Sequence, residues 1–129
     1  MGHSHDDSGW VAFSKELKIS FRTPVSPSLM LERMNDVLIG LGHALKEEGC
    51  PLIGHIKVLI RSEAEEHLFL SLTSFDQIPA SKGKMEKEVS KIMLTINAIV
   101  YGFNKERLDF LVGHMMEEGF KRHVDQLSC

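Results

Sequence analysis

The chain lacks most of the features that give a protein's chemistry away. Neither the phosphate-cradling pattern G-x-x-x-x-G-K-[ST] nor G-x-G-x-x-G occurs, which argues against a P-loop or a dinucleotide site within it. Two cysteines, Cys50 and Cys129, are too few for a disulfide framework, so a reduced, cytoplasmic protein is expected. No apolar run approaches the roughly 20 residues of a membrane-spanning helix. The N-terminus carries no apolar signal region. Met1-Gly2 opens like a myristoylation site, but Asp6 and Asp7 stand where Ser or Thr is required. Positive charge is not in excess: 15 Lys and Arg face 18 Asp and Glu, for a net charge of -3. No global field therefore draws nucleic acid or an anionic membrane, and neither is expected as a partner.

What remains is ordinary globular material. At 129 residues, with 43% hydrophobic and 26% charged side chains, the chain fits one domain with a core of its own. Residues 1–9 (MGHSHDDSG) bury too little apolar surface to offset the entropy of ordering, and read as a flexible His/Asp-rich tail. The folded domain is expected over 10–120, with 121–129 as a polar C-terminal tail.

Periodicity supplies the elements. Leu17, Ile19 and Phe21 alternate with Lys18, Ser20 and Arg22, the period of a half-buried strand that Pro24 and Pro27 stop. Ser26-Pro27 opens a helix with the apolar stripe Met30, Met34, Val37, Leu38, Leu41 and Leu45; Gly49 and Pro51 end it. Gly40 and Gly42 cost that helix about 1 kcal/mol each relative to Ala, which close approach to the sheet explains for at least one. A hairpin follows: Ile56, Val58 and Ile60, a turn at Ser62–Glu65, then Leu68, Leu70 and Leu72. Residues 74–90 read as a solvated loop. The last strand places Leu94, Ile96, Ala98 and Val100 on one side. Asn104 caps a final helix burying Leu108, Leu111, Val112 and Met115, with Gly119 ending it. The resulting fold is α+β, a two-layer sandwich of order β-α-β-β-β-α. Its mainly antiparallel four-stranded sheet is covered on one face by two helices.

Chemistry is sparse. His3, His5, Asp6 and Asp7 form a short tract of imidazole and carboxylate ligands, suited to a weakly bound divalent metal such as Zn, Ni or Co. His55 and His67 project to the same side of the hairpin but stand too far apart along the ladder to share a tetrahedral ion. Cys50 has no partner base in view and reads as a small buried residue. The Glu pairs lie at helix ends or in a turn, and no pair is placed for acid/base work, so no catalytic residue is assigned. The uncovered sheet face is the better candidate. It is expected to carry Lys18, Arg22, His55, Lys57, Leu59, Arg61, His67, Phe69, Phe75, Thr95, Asn97 and Tyr101. No RNA-recognition motif accompanies them, and a mixed aliphatic, aromatic and charged face suits a protein interface, homodimeric or with a partner.

INAIVYGFNKERLDFLV resembles the closing segment of the C-terminal domain of the CobW family of metal-handling GTPases. Upstream, LIGHIKVLI is similar to the family strand that carries an Arg-x-Lys-Gly segment: Lys57 falls on the Lys, His55 replaces the Arg and Val58 the Gly. HSHDD looks like the His-rich linker that precedes that domain. The resemblance spans roughly residues 3–119 and implies the same β-α-β-β-β-α order. The family's GTPase half, phosphate loop and Cys-rich metal motif have no counterpart here. What the resemblance implies is therefore a non-catalytic accessory role: metal delivery, or cobalamin or metalloprotein maturation, beside a separate GTPase or a client metalloprotein. The alternative is a dimeric small-molecule binding or catalytic domain with its site on the open sheet face.

Overall fold

The computed structural model describes residues 9–120 and, for the backbone alone, residues 124–128. The element order is β1 (Trp10–Val25), α1 (Pro27–Glu47), β2 (Leu52–Ser62), β3 (His67–Leu72), β4 (Ala80–Lys84), β5 (Val89–Tyr101), α2 (Lys105–Phe120) and β6 (Val124–Ser128). The strands form one sheet in the order β4-β3-β2-β5-β1-β6, every neighbouring pair antiparallel. This is the expected α+β sandwich, with six strands in place of four. The two extra strands are the outermost ones. β4 (ASKGK) is exposed along its whole length and has no apolar alternation, so only its pairing with β3 makes it a strand. β6 arises within the segment expected as a polar tail and pairs with Lys18–Phe21.

α1 begins as its residues dictate. The Leu29 N–H donates to the Ser26 hydroxyl at 3.2 Å, and Pro27 takes the first helical turn, where no N–H is needed. Gly49, at φ +88°, turns the chain out of the helix in the left-handed conformation that other residues adopt only at a cost. Asn104 caps α2 through its side-chain oxygen, which accepts the Arg107 N–H at 2.8 Å. The helices are also tied by Arg107, whose guanidinium grips both oxygens of Glu48 at 2.6 Å.

One core lies between the sheet and the helix pair. Met34, Leu38, Leu41 and Leu45 meet Ile56, Ile60, Leu72, Leu94, Ile96, Ala98 and Val100, all fully buried. Each large aliphatic side chain so buried contributes about 1.5–3 kcal/mol. At Gly42 α1 comes close to the sheet side: a Cβ there would stand 3.1 Å from Leu72 Cδ2 and 3.2 Å from the Phe75 carbonyl oxygen. Two placements differ from expectation. α2 runs one residue past Gly119, buries Met116 and Phe120 and leaves Met115 half-buried. Phe75 packs against the core from the loop after β3 instead of standing on the open face, because the chain has already left the sheet at Thr73.

Candidate functional site: the open sheet face

The pleat sends alternate side chains of every strand away from the helices. Strand register then arranges them in rows across the sheet. One row runs Lys84, His67, Arg61, Met93, Lys18. The next runs Lys82, Phe69, Leu59, Thr95, Glu16. A third runs Ala80, Ser71, Lys57, Asn97, Ser14. Opposed residues in such ladders have Cα atoms about 4.5–5.5 Å apart, so neighbours within a row touch or nearly touch.

Two concavities follow. One of about 580 Å³ is lined by Lys57, Leu59, Phe69, Lys82, Thr95 and Asn97, among others. A second of about 530 Å³ lies toward the β2–β3 turn, with Lys18, Arg61, His67, Lys91, Glu63 and Glu65 around it. Of the expected site residues, Lys57, Phe69, Thr95 and Asn97 thus share one concavity. His67 belongs to the other. His55 stands opposite Ile99, and Tyr101 sits at the far end between Leu52 and Trp10. Six residue steps along β2 separate His55 from Arg61, the partner of His67, a span of about 20 Å at strand rise. The two histidines share no ion. Among the described residues no group of three or more His, Cys, Asp or Glu side chains is gathered for a metal. His3, His5, Asp6 and Asp7 lie outside the described residues.

The charge of this face is lopsided. Lys18, Lys57, Arg61, Lys82, Lys84 and Lys91 project from it, whereas Glu16 is the one carboxylate that the described strand positions send there. Lys84 reaches Glu86 at 3.1 Å. Lys18, Lys57, Arg61, Lys82 and Lys91 make no salt bridge with any described residue, though Lys91 stands near enough to Glu63 to help lower its carboxyl. The Asn97 carbonyl oxygen accepts a hydrogen bond from the Ser14 hydroxyl at 2.7 Å, which leaves its amide N–H groups to face outward. Phe69 is 45% exposed, high for an aromatic residue in a sheet.

The edge of the second concavity is built by carboxylates working on backbone. Glu63 accepts the Ser90 and Lys91 N–H groups at 2.8 and 2.9 Å, which holds its carboxyl below the usual range. Glu66 accepts those of Glu86 and Lys87 at 3.1–3.2 Å. Both lie in or beside the turn expected at Ser62–Glu65, so the turn clamps the segment entering β5. Periodicity gave no sign of these contacts, nor of Lys82 and Lys84. The cue for the lysines was their i, i+2 spacing shortly after Pro79.

Cys50 is buried, and burial pushes its thiol upward. It donates weakly to the Leu52 and Tyr101 carbonyls and faces no base. No helix among the described residues is long and apolar enough to cross a membrane.

No protein-family profile and no curated protein matches the chain. Two solved structures are similar to it. One is the Zn(II)-bound YjiA GTPase from E. coli, at 12% identity and a TM-score of 0.42, matching 83% of this chain and 30% of that one. The other is a Zn(II)-bound triple mutant of the YjiA GTPase, at 11% identity and a TM-score of 0.42 over the same shares. The chain thus spans about 30% of the length of the GTPases it matches.

Proposed function

We propose that the domain is a non-catalytic docking module whose open sheet face receives a protein partner. The observation that carries this reading is the face itself. Five cations with no salt bridge to any described residue, an exposed phenyl ring and two concavities lie on one side of the sheet, with no nucleophile–base pair among the described residues beside them. Such a surface is equipped to bind and not to react. The sequence resemblance supplies the partner class: a separate GTPase or a client metalloprotein, with His3, His5, Asp6 and Asp7 offering transient ligands to Zn, Ni or Co during metal delivery.

Benzophenone crosslinkers at position 69 and, as a control, at position 110 test the docking. Phe69 and Phe110 are both exposed, but Phe110 stands on α2, on the opposite side of the molecule. Irradiation in native cells is expected to yield from position 69 an adduct with a GTPase or metalloprotein that position 110 does not give. Identical adducts, or none, would sink the docking reading. The metal role is tested apart, by titrating Zn, Ni and Co into the chain and into a His3→Ala/His5→Ala variant. Equal binding by the two removes it.

The concavity beside Phe69 also lies within the size range of small-molecule sites. A ligand retained through purification and seen by native mass spectrometry would favour that second reading.

A further inference from the structure

We infer that the surface docking on the open face is acidic: an extended protein segment in which carboxylates alternate with apolar side chains. This rests on the docking reading above and gives the partner its chemistry. The first ground is sign. The chain as a whole carries -3, yet its open face displays six strand-borne cations against Glu16, with Glu63 and Glu65 at the rim of the second concavity. The second is what those cations do. Elsewhere, Lys46 holds Asp76 at 2.9 Å, Lys105 holds Asp109 at 2.6 Å and Arg107 holds Glu48 at 2.6 Å. On the open face, Lys18, Lys57, Arg61, Lys82 and Lys91 make no such salt bridge with any described residue, although Lys91 stands near enough to Glu63 to help lower its carboxyl. Surface charges of one sign gathered over a concave floor attract the opposite sign and repel their own.

That repulsion also removes one occupant. Two copies of this chain meeting face to face would bring the same cations against each other, so a symmetric dimer through this face is disfavoured. The apolar part of the match comes from Phe69 and Leu59, which oppose one another, with Lys82 next to Phe69 in the same row. Lys57 stands two residues from Leu59, about 7 Å along the strand. An occupant therefore needs a carboxylate roughly one side-chain step from an apolar group, which a strand alternating the two provides. Single-stranded nucleic acid fits less well. Phe69 and Tyr101 are the exposed aromatics of this face, and the six residue steps of β5 from Thr95 to Tyr101 put them about 20 Å apart, too far to stack successive bases.

The test is a titration of the full-length, isotope-labelled chain with a synthetic peptide of alternating Glu and Leu around one Phe, followed by amide shifts. The same peptide with Gln for Glu, and an oligouridylate of equal length, serve as comparisons. The expected result is saturable shifts centred on Leu59, Phe69 and Lys82. The dissociation constant should rise about tenfold between 50 and 500 mM salt, and at least roughly tenfold in a Lys57→Glu/Lys82→Glu variant. Both lysines are exposed, and an unchanged melting curve certifies that the variant folds. Equal binding of the Gln peptide, no loss in the charge-reversed variant, or tighter binding of the oligouridylate would each overturn the inference. Failure here with a position-69 adduct still formed leaves the docking reading standing and its acidic chemistry refuted. Failure of both removes the docking reading itself.

Discussion

The indole of Trp10 lies over Gly54, two strands away. A Cβ on Gly54 would come within 2.9 Å of the ring and 3.1 Å of the Ile99 carbonyl oxygen. Trp10 opens β1, Gly54 sits at the irregularity between Ile53 and His55 in β2, and β5 runs between them. The ring also meets Tyr101 edge-on, centroids 5.2 Å apart. This contact bridges three strands at one end of the open face.

Gly54→Ala is therefore expected to overpack the contact and cost about 1–3 kcal/mol. Urea denaturation measures the loss. Trp10 is the sole tryptophan, so its emission should shift red as the ring is displaced toward solvent. An unchanged midpoint together with unchanged emission would show that the indole does not rest on Gly54.

Ser62 is the buried polar side chain of the β2–β3 turn. Its hydroxyl accepts the Ala64 and Glu66 N–H groups, each at 3.2 Å. Ser62→Ala should cost about 1–3 kcal/mol by leaving both donors short of a partner. Thermal or urea unfolding checks the value, and a cost near zero would show that water replaces the hydroxyl.

Stability should fall with acid in a way traceable to Glu63. Hydrogen bonds from the Ser90 and Lys91 N–H groups depress its folded pKa, so the unfolded chain takes up the proton first as pH drops. Its contribution is complete above the ordinary carboxylate pKa. It declines as pH falls through the depressed folded value, and is gone below both. Glu48, depressed by its hydrogen bonds with Arg107, adds to the slope with the same sign. Melting temperatures of Glu63→Gln followed from pH 7 into this acid range should decline less steeply than those of the parent. Parallel curves would mean that Glu63 holds no such bonds in solution.

The Cys50 thiol should be inert in the folded protein. Burial raises its pKa and shields the sulfur, and reagents need the exposed thiolate. In a Cys129→Ser variant, Cys50 should react with a disulfide reagent only at the rate of global unfolding. Reaction within seconds under native conditions would contradict this placement.

Much of this was legible in the chain. Leu17, Ile19 and Phe21 announce β1, Ser26-Pro27 and Gly49 bound α1, and Leu94 to Val100 name the central strand, because each buries one clean face. β1 extends back to Trp10 without so clear a signal, since the polar run Ser14 to Glu16 interrupts the alternation and cross-strand pairing to β5 holds it. Lys57, Phe69, Thr95 and Asn97 could be placed on one face by parity. Lys82 could not, because Ala80–Lys84 has no buried side to betray a strand. The clamps made by Glu63 and Glu66 bridge 20 to 28 residues from side chain to backbone, and such contacts leave no period to read.

β4 has a consequence beyond recognition. It is an outermost strand, and its free backbone groups are a template on which another chain's strand could extend the sheet, the usual start of aggregation. Lys82 and Lys84 set positive charge at this edge, which makes uninvited strand addition costly. An acidic segment would neutralise the charge as it arrived. The same two lysines would then act as gatekeepers of the border: they turn away strands that bring no carboxylates and admit those that do.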